Sequence, residues 1–235
     1  MMIDFHSHIL PGIDDGSRSV EESIRMLRAE AEQGIRKVIA TPHFYAHHDS
    51  PERFLNRRKE AEKRLREAME GYENMPEIEI GAEVYYFPGI SESDVVNLLT
   101  IGQKRCILLE MPVSSWTPQM YKEIEAIRVK QGITPIIAHM DRYIAPFRTH
   151  GIPERLAELP VAVQVNASFF LRRSTASMAV RMLRRDQIHL LGSDCHNMDM
   201  RPPNLGPALQ AIRRRLGDEA IDRILLNGES VLENS

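Results

Sequence analysis

Short apolar segments that resemble β-strands alternate with helical patterns along almost the whole chain, and this alternation restricts the fold more than any other feature. Several segments are rich in Val and Ile and nearly continuous, which is typical of parallel strands buried on both faces. The predicted strands are Ile3–Phe5, Lys37–Ala40, Glu77–Gly81, Cys106–Leu109, Thr134–Ala138, Val161–Val165 and Ile188–Leu191. Because no linker rich in Gly, Ser or Pro interrupts the strand–helix repeat, we expect one α/β domain over residues 1–235, built as a parallel barrel or a related closed fold.

The helices between these strands are marked by residues typical of helix ends. Ser19 and the glutamates after it form a capping-box pattern, which opens a helix that is expected to end at Gly34. Pro51–Met69 is predicted to be a long, charged helix. Further helices are predicted at Ser91–Leu99, Thr117–Gln131, Pro153–Leu159, Thr175–Arg185 and Asn204–Leu216, with a last helix after Gly217.

Composition and charge narrow the classes of function. The formal net charge of -3 argues against a nucleic-acid-binding domain. The basic clusters Arg172–Arg173, Arg184–Arg185 and Arg213–Arg215 are interpreted as solvated helix faces. The N-terminal segment lacks the pattern of a signal peptide, and no run of about 18 apolar residues predicts a membrane span. Cys106 and Cys195 are predicted to be reduced thiols, so we expect a cytoplasmic location.

Groups that can bind metal ions follow nearly every predicted strand. They are Asp4-Phe-His6-Ser-His8, Asp14-Asp15-Gly16, His43, Glu83, Glu110, His139-Met-Asp141-Arg142, Asn166 and Asp194-Cys-His196. In a parallel barrel the carboxyl ends of all strands lie on one face, where the loops build active sites. The sequence therefore predicts that these distant residues converge.

The spacing and chemistry of these groups indicate a site for several metal ions. His6 and His8 are two residues apart, so on an extended segment both side chains point the same way. Mixed imidazole and carboxylate ligation suits Zn, Fe or Mn better than Mg or Ca. The groups exceed the coordination shell of one ion, which predicts two or three divalent ions with a bridging carboxylate such as Glu110.

Each of these motifs also has a structural interpretation when it stands alone. A histidine pair can be a surface or core feature, a glutamate at a strand end can cap a helix, and Asp4 can orient a loop. Their joint placement after apolar strands favours the metal site, because charged residues are rarely buried without partners. His150 and His189 are interpreted as structural, and His47 and His48 are left open as residues at the periphery of the site.

Taken together, the motifs resemble the PHP (polymerase and histidinol phosphatase) family. The motifs that carry the resemblance are Asp4-Phe-His-Ser-His8, Asp14-Asp-Gly16, Ala40-Thr-Pro-His43, Gly81-Ala-Glu83, Leu109-Glu-Met-Pro112, Ala138-His-Met-Asp-Arg-Tyr143, Gln164-Val-Asn166 and Gly192-Ser-Asp-Cys-His-Asn197. More narrowly, the chain resembles the capsule and exopolysaccharide branch, the manganese-dependent bacterial protein-tyrosine phosphatases. It departs from that pattern at Met140-Asp141, where Pro-Glu is usual, and at Phe44-Tyr45.

The resemblance implies a distorted (β/α)7 barrel with three metal ions, the upper end of the two or three that the residues predict, with Mn expected and Fe or Zn as alternatives. The implied metal ligands are His6, His8, Asp15, His43, Glu83, Glu110, His139, Asp194 and His196. Arg142 and Arg201 are the implied phosphate-binding arginines. Metal ions neutralise phosphate oxygens and activate water for attack on phosphorus. Asp15, His43 and a metal-bound water are the candidates for protonating the leaving oxygen.

The implied substrate is phosphotyrosine on a protein, with a bacterial tyrosine kinase of polysaccharide synthesis as the expected partner. A small phosphomonoester such as histidinol phosphate is the alternative substrate, and a non-catalytic metal-binding module is the alternative class. The spacing from Cys195 to Arg201 also matches the phosphate-binding loop of cysteine-dependent phosphatases. That loop is disfavoured here because it would contain no glycine, and because Asp194 beside the cysteine would raise the pKa of its thiol.

Overall fold

A computed structural model describes residues 1–144 and 151–233, so the prediction for His150 lies outside the described residues. Within those ranges the strands are β1 (Ile3–Ser7), β2 (Lys37–Ala40), β3 (His43–Phe44), β4 (Glu77–Ile80), β5 (Glu83–Tyr85), β6 (Cys106–Glu110), β7 (Thr134–Ile137), β8 (Ala162–Asn166) and β9 (Leu190–Gly192). The predicted strands are therefore confirmed to within a few residues. The short strands β3 and β5 were not predicted.

The strands form two parallel sheets that curl towards each other. One sheet has the order β1-β2-β4, and the other has the order β3-β5-β6-β7-β8-β9. An isolated parallel bridge joins Ser7, at the end of β1, to Cys195, which follows β9. Because the first and last strands thus lie side by side, the loops after the strands gather around one rim. The result is a mixed α/β fold with a curled parallel sheet.

Helices connect the strands. They are α1 (Val20–Glu32), α2 (Pro51–Met69), α3 (Val95–Leu98), α4 (Pro118–Gln131), α5 (Ile152–Leu156), α6 (Ser168–Leu171), α7 (Ala176–Arg184), α8 (Leu205–Leu216) and α9 (Asp218–Glu233). The helix predicted over Ser91–Leu99 is wrong over its first half, because Ser93 has extended backbone and separates a 3-10 turn from α3. In the part of the chain that the structure describes, no helix is long and apolar enough to cross a membrane.

Apolar side chains fill the inside of the curl. Phe5, Ile39, Leu108, Ile136 and Leu190 come from five different strands and pack into one buried cluster. Alternate residues of the same strands join a larger cluster with the helices on the outer face. Since the interior is filled, the space for functional groups is at the ends of the strands.

Candidate metal centre

The ligands predicted from the sequence meet at the carboxyl ends of the strands. Their positions are His6 on β1, His8 and Asp15 in the loop after it, His43 on β3, Glu83 on β5, Glu110 on β6, His139 after β7, and Asp194 and His196 after β9. Three groups of these predicted ligands could each hold a metal ion, because their ligand atoms lie within 4.8 Å of one another. The first group is His8, Asp15, His43 and His196, the second is His6, His8 and Asp194, and the third is His43, Glu83 and Glu110. The prediction that residues distant in sequence converge is thereby confirmed.

Glu83 lies at the middle of this centre with its side chain only 1% exposed. Its Oε2 atom is 3.1 Å from His6 Nε2 and 3.3 Å from His8 Nε2. The same oxygen is 2.9 Å from His43 Nδ1, and Oε1 is 2.8 Å from His139 Nε2. One carboxylate therefore contacts four imidazoles that come from three strand ends.

Glu110, which the sequence analysis named as an example of a bridging carboxylate, lies to one side. Its oxygens are 3.4 Å from His139 Nε2 and 3.9 Å from His43 Nδ1. The central position belongs to Glu83, the first residue of β5, because its carboxylate reaches the rings of His6 and His8 at the end of β1.

Several buried atoms of the centre lack a hydrogen-bond partner among the described residues. They are His43 Nδ1, Glu83 Oε2, Glu110 Oε2 and His196 Nε2. Their close contacts with one another have poor hydrogen-bond directions. A buried polar atom without a partner destabilises a fold by about 1–3 kcal/mol. Divalent cations between these atoms would satisfy them, so the donor set fits a metal site.

The two histidines at the end of the first strand, His6 on β1 and His8 just after it, also converge on one point. His6 Nε2 and His8 Nε2 face each other at 3.1 Å. Asp194 Oδ1 is 3.5 Å from the first of these nitrogens and 3.6 Å from the second. Two ring nitrogens and a carboxylate oxygen that converge on one point are the geometry expected of ligands to a common ion.

Proton binding at the centre reflects the same crowding of charges. Burial alone lowers the pKa of His8, but its hydrogen bond to Asp14 and the nearby carboxylate of Glu83 raise that pKa to about 10. Burial likewise lowers the pKa of His139, but Glu110 and Glu83 raise it to about 9. Burial raises the pKa of Glu83, yet the surrounding histidines hold it well below its usual range. In the protein without metal these rings therefore hold protons, which a metal ion must displace.

Asp14 orients two of the histidines, a role that the sequence analysis missed. Its Oδ2 atom accepts hydrogen bonds from His8 Nδ1 at 2.8 Å and from the backbone N–H of His43 at 3.0 Å. Asp15 points outwards with its side chain 69% exposed, and its Oδ1 atom is 3.5 Å from the nearest nitrogens of His43 and His196. The sequence gives no signal for which of the two adjacent aspartates faces the histidines and which faces outwards. The glycine after them is informative, because a Cβ atom on Gly16 would lie 2.4 Å from His8 Cβ.

Gln164 and Asn166 on β8 hold other parts of the rim. Gln164 Oε1 accepts a hydrogen bond from the backbone N–H of His139 at 2.7 Å. Asn166 Nδ2 donates to Asp194 Oδ2 at 2.8 Å. From the sequence, Asn166 was expected only as one of the metal-binding groups after the strands, and Gln164 was expected to have no separate role.

Arg142 and Arg201 lie beside the centre on the side of Asp194. Both guanidinium groups form ion pairs with Asp194 Oδ2, and Arg201 does so at 2.6 Å. Each arginine side chain is 37% exposed and lines a cavity of about 150 Å³. Two fork-shaped donors therefore stand at the edge of the metal-binding groups.

A second cavity, of about 490 Å³, lies on the other side of the centre and reaches Asp15 and His43. Tyr45 and His48 line it, and the Tyr45 ring packs against the His43 ring with centroids 5.3 Å apart. Within the described residues, His48 thus belongs to the periphery of the site, and His47 packs against its ring at 4.1 Å.

The buried cysteine beside the centre has no catalytic position. Cys195 is 0% exposed, and burial raises the pKa of its thiol well above the usual range, with further contributions from Glu30 and Asp4. It forms no disulfide with Cys106.

Asp4 and His189 have structural roles near the centre. The Asp4 carboxylate links β1 to the segment before Cys195, because it accepts hydrogen bonds from the backbone N–H and the hydroxyl of Ser193 at 2.9 and 2.6 Å. His189 is structural as predicted, since its Nδ1 accepts a hydrogen bond from the Val163 N–H at 3.0 Å.

Comparisons with known proteins agree with this site. The model of the family "Capsular polysaccharide synthesis, CpsB/CapC" matches residues 2–233. Tyrosine-protein phosphatase CpsB of Streptococcus pneumoniae is 31% identical, over 92% of this chain and 91% of that protein. CpsB of Streptococcus agalactiae is 28% identical over 99% of both chains.

A solved structure agrees over the whole chain. It comes from the pair YwqE of Bacillus subtilis and CpsB of Streptococcus pneumoniae, described as unique metal-dependent tyrosine phosphatases. The TM-score is 0.84 at 26% sequence identity, and the match covers 100% of this chain and 95% of that one. By sequence and by fold, the chain belongs to the CpsB/CapC family of capsular polysaccharide synthesis.

Proposed function

We propose that this chain is a metal-dependent protein-tyrosine phosphatase, which hydrolyses phosphotyrosine on a bacterial tyrosine kinase of capsule or exopolysaccharide synthesis. The observation that carries the proposal is the set of buried imidazole and carboxylate atoms that lack hydrogen-bond partners among the described residues, beside two partly exposed arginines. The names of the relatives, tyrosine-protein phosphatases CpsB and YwqE, support the same activity.

The ligands of two or three divalent ions would be the nine side chains predicted from the sequence. Glu83 would bridge, because it contacts histidines of all parts of the centre. Mn is the proposed ion, and the mixture of nitrogen and oxygen donors also suits Fe and Zn. We further propose that β2 with β3, and β4 with β5, each count as one interrupted strand, which gives the sevenfold barrel.

The residues of the chain would divide the work of hydrolysis. When bound, the metal ions neutralise phosphate oxygens and lower the pKa of water for in-line attack. Arg142 and Arg201 would hold the other phosphate oxygens, since a guanidinium group offers two parallel N–H donors. Asp194 keeps both arginines beside the centre, and Asn166 fixes the orientation of Asp194.

The leaving group is a phenolate, which needs less protonation than an alkoxide. Asp15 and His43 are the proposed donors of any proton that it takes up, because both line the 490 Å³ cavity beside the centre. Asp15 is the more accessible of the two, with its side chain 69% exposed against 15% for His43.

The open form of the site favours phosphotyrosine on a protein over histidinol phosphate. A small phosphomonoester is best held in a narrow pocket that encloses it. Here cavities lie on both sides of the metal-binding groups, and the two arginines remain more than a third exposed.

Activity assays on the metal-loaded protein test the proposal. A phosphotyrosine peptide and histidinol phosphate are compared with added Mn²⁺, with and without chelator, and with a phosphoserine peptide as control. We expect chelator-sensitive turnover of the phosphotyrosine peptide, and its loss when His6→Ala and His8→Ala are combined. Faster turnover of histidinol phosphate than of the phosphotyrosine peptide would identify a small phosphomonoester as the substrate. Turnover that persists in chelator and after the double substitution would overturn the metal mechanism.

A further inference from the structure

A third arginine lines the cavity that holds Arg142 and Arg201. Arg172 follows the last residue of α6 and borders the same 150 Å³ cavity. The sequence alone suggested that Arg172–Arg173 is a solvated helix face. Arg172 instead stands at the rim of the proposed phosphate site, and the adjacent Arg173 is not among the residues that line this cavity.

Among the residues that the structure describes, no carboxylate pairs with the guanidinium group of Arg172. Arg142 and Arg201 are both paired with Asp194. The Arg172 side chain is exposed and forms no ion pair or hydrogen bond with residues 1–144 or 151–233. The other carboxylate of the cavity, Asp141, accepts a hydrogen bond from the backbone N–H of Asn166 at 2.9 Å.

The backbone of Arg172 is fixed by hydrogen bonds, although its side chain makes no ion pair within residues 1–144 and 151–233. Its N–H donates to the Ser168 carbonyl at 3.1 Å, and its own carbonyl accepts from Thr175 N–H at 3.0 Å and Ala176 N–H at 2.9 Å. The junction between α6 and α7 therefore attaches the Arg172 side chain to an ordered stretch of backbone at the rim. A donor whose attachment is already ordered loses less conformational entropy when it binds a ligand.

We propose that Arg172 binds a second anionic group of the substrate, namely the carboxylate of an Asp or Glu next to the phosphotyrosine. This inference rests on the proposed function. Arg142 and Arg201 are partly buried against Asp194 and would take the phosphate, whereas Arg172 is exposed at the entrance and would meet the flanking chain. The planar fork of a guanidinium group matches a carboxylate as well as a phosphate.

Steady-state kinetics on three substrates test the inference. The substrates are para-nitrophenyl phosphate, a phosphotyrosine peptide with Glu on both sides, and the same peptide with Gln in place of Glu. The wild-type protein is compared with Arg172→Gln, and Arg173→Gln is the matched control. We expect Arg172→Gln to lower kcat/KM on the Glu peptide about fivefold, through KM, because an exposed ion pair contributes up to about 1 kcal/mol.

For every other combination of variant and substrate, we expect kcat/KM to change less than about twofold, as for an ordinary surface substitution. A fivefold loss on all three substrates would assign Arg172 to the phosphate itself and overturn the inference. Equal turnover of the Glu and Gln peptides by the wild-type protein, or an equal effect of Arg173→Gln, would overturn it while leaving the proposed function intact. If the wild-type protein hydrolyses para-nitrophenyl phosphate but neither peptide, the proposed function fails and the inference fails with it.

Discussion

Replacement of Asp14 by Asn tests whether metal binding depends on a residue that is not itself a proposed ligand. The side chain of Asp14 is 6% exposed and accepts hydrogen bonds from His8 Nδ1 and from the backbone N–H groups of His43 and Gly16. Asn keeps the size but removes the charge, and a hydrogen bond to a charged group contributes about 1.5–3 kcal/mol. We therefore expect Mn²⁺ affinity and kcat/KM to fall about tenfold to a hundredfold, the usual effect of losing a residue that orients a metal-bound histidine.

The assay is a Mn²⁺ titration of activity on a phosphotyrosine peptide, with the bound metal measured directly by mass spectrometry. The substitution also has an opposing effect on Mn²⁺ affinity: it lowers the pKa of His8, so the metal displaces the proton on that ring more easily. We expect this gain in affinity to be smaller than the loss, because the Asp14 carboxylate attracts a doubly charged ion more strongly than it attracts one proton. The exposed Asp199, substituted in the same way, is the control. An Asp14→Asn protein that is folded and binds Mn²⁺ as tightly as the wild type would refute the reasoning.

Four further predictions concern protons, phosphate and the thiol. In the presence of chelator, protonated His8 and His139 stabilise the fold, because their pKa values rise from 6.5 in the unfolded chain to about 9 to 10 in the folded protein. This stabilisation is complete below pH 6.5 and is lost as the pH rises through 9 to 10. The melting temperature should therefore fall over that range, and a melting temperature that does not change with pH would contradict the raised pKa values. Metal affinity should rise over the same range, because binding releases these protons. Arg201→Lys should lower kcat/KM about tenfold or more through loss of the paired donors, against unchanged metal content; an unaffected kcat/KM argues against phosphate contact. Cys195→Ser should retain Mn²⁺-dependent turnover, since the buried thiol takes no part; abolished turnover in a folded variant supports the thiolate mechanism instead.

Much of the fold could be read from local pattern. Continuous Val- and Ile-rich segments identified the strands, and Ser19 with the glutamates after it marked the start of α1, where the Ser19 side chain accepts a hydrogen bond from Glu22 N–H. The region after Gly89 could not be read in this way. The extended backbone of Ser93 interrupts the predicted helix, and no residue type in the local sequence indicates that interruption.

The sequence by itself determined which chemical groups follow each strand, and hence the type of site and the family. The tertiary structure decided which carboxylate is central, which of Asp14 and Asp15 faces the histidines, and that Arg172 lines a cavity. The reason is physical. Strand and helix periodicity is a local property of the chain, whereas the direction in which a side chain points across the rim depends on strand register and on the curl of the sheet. Both arise only when distant segments pack together.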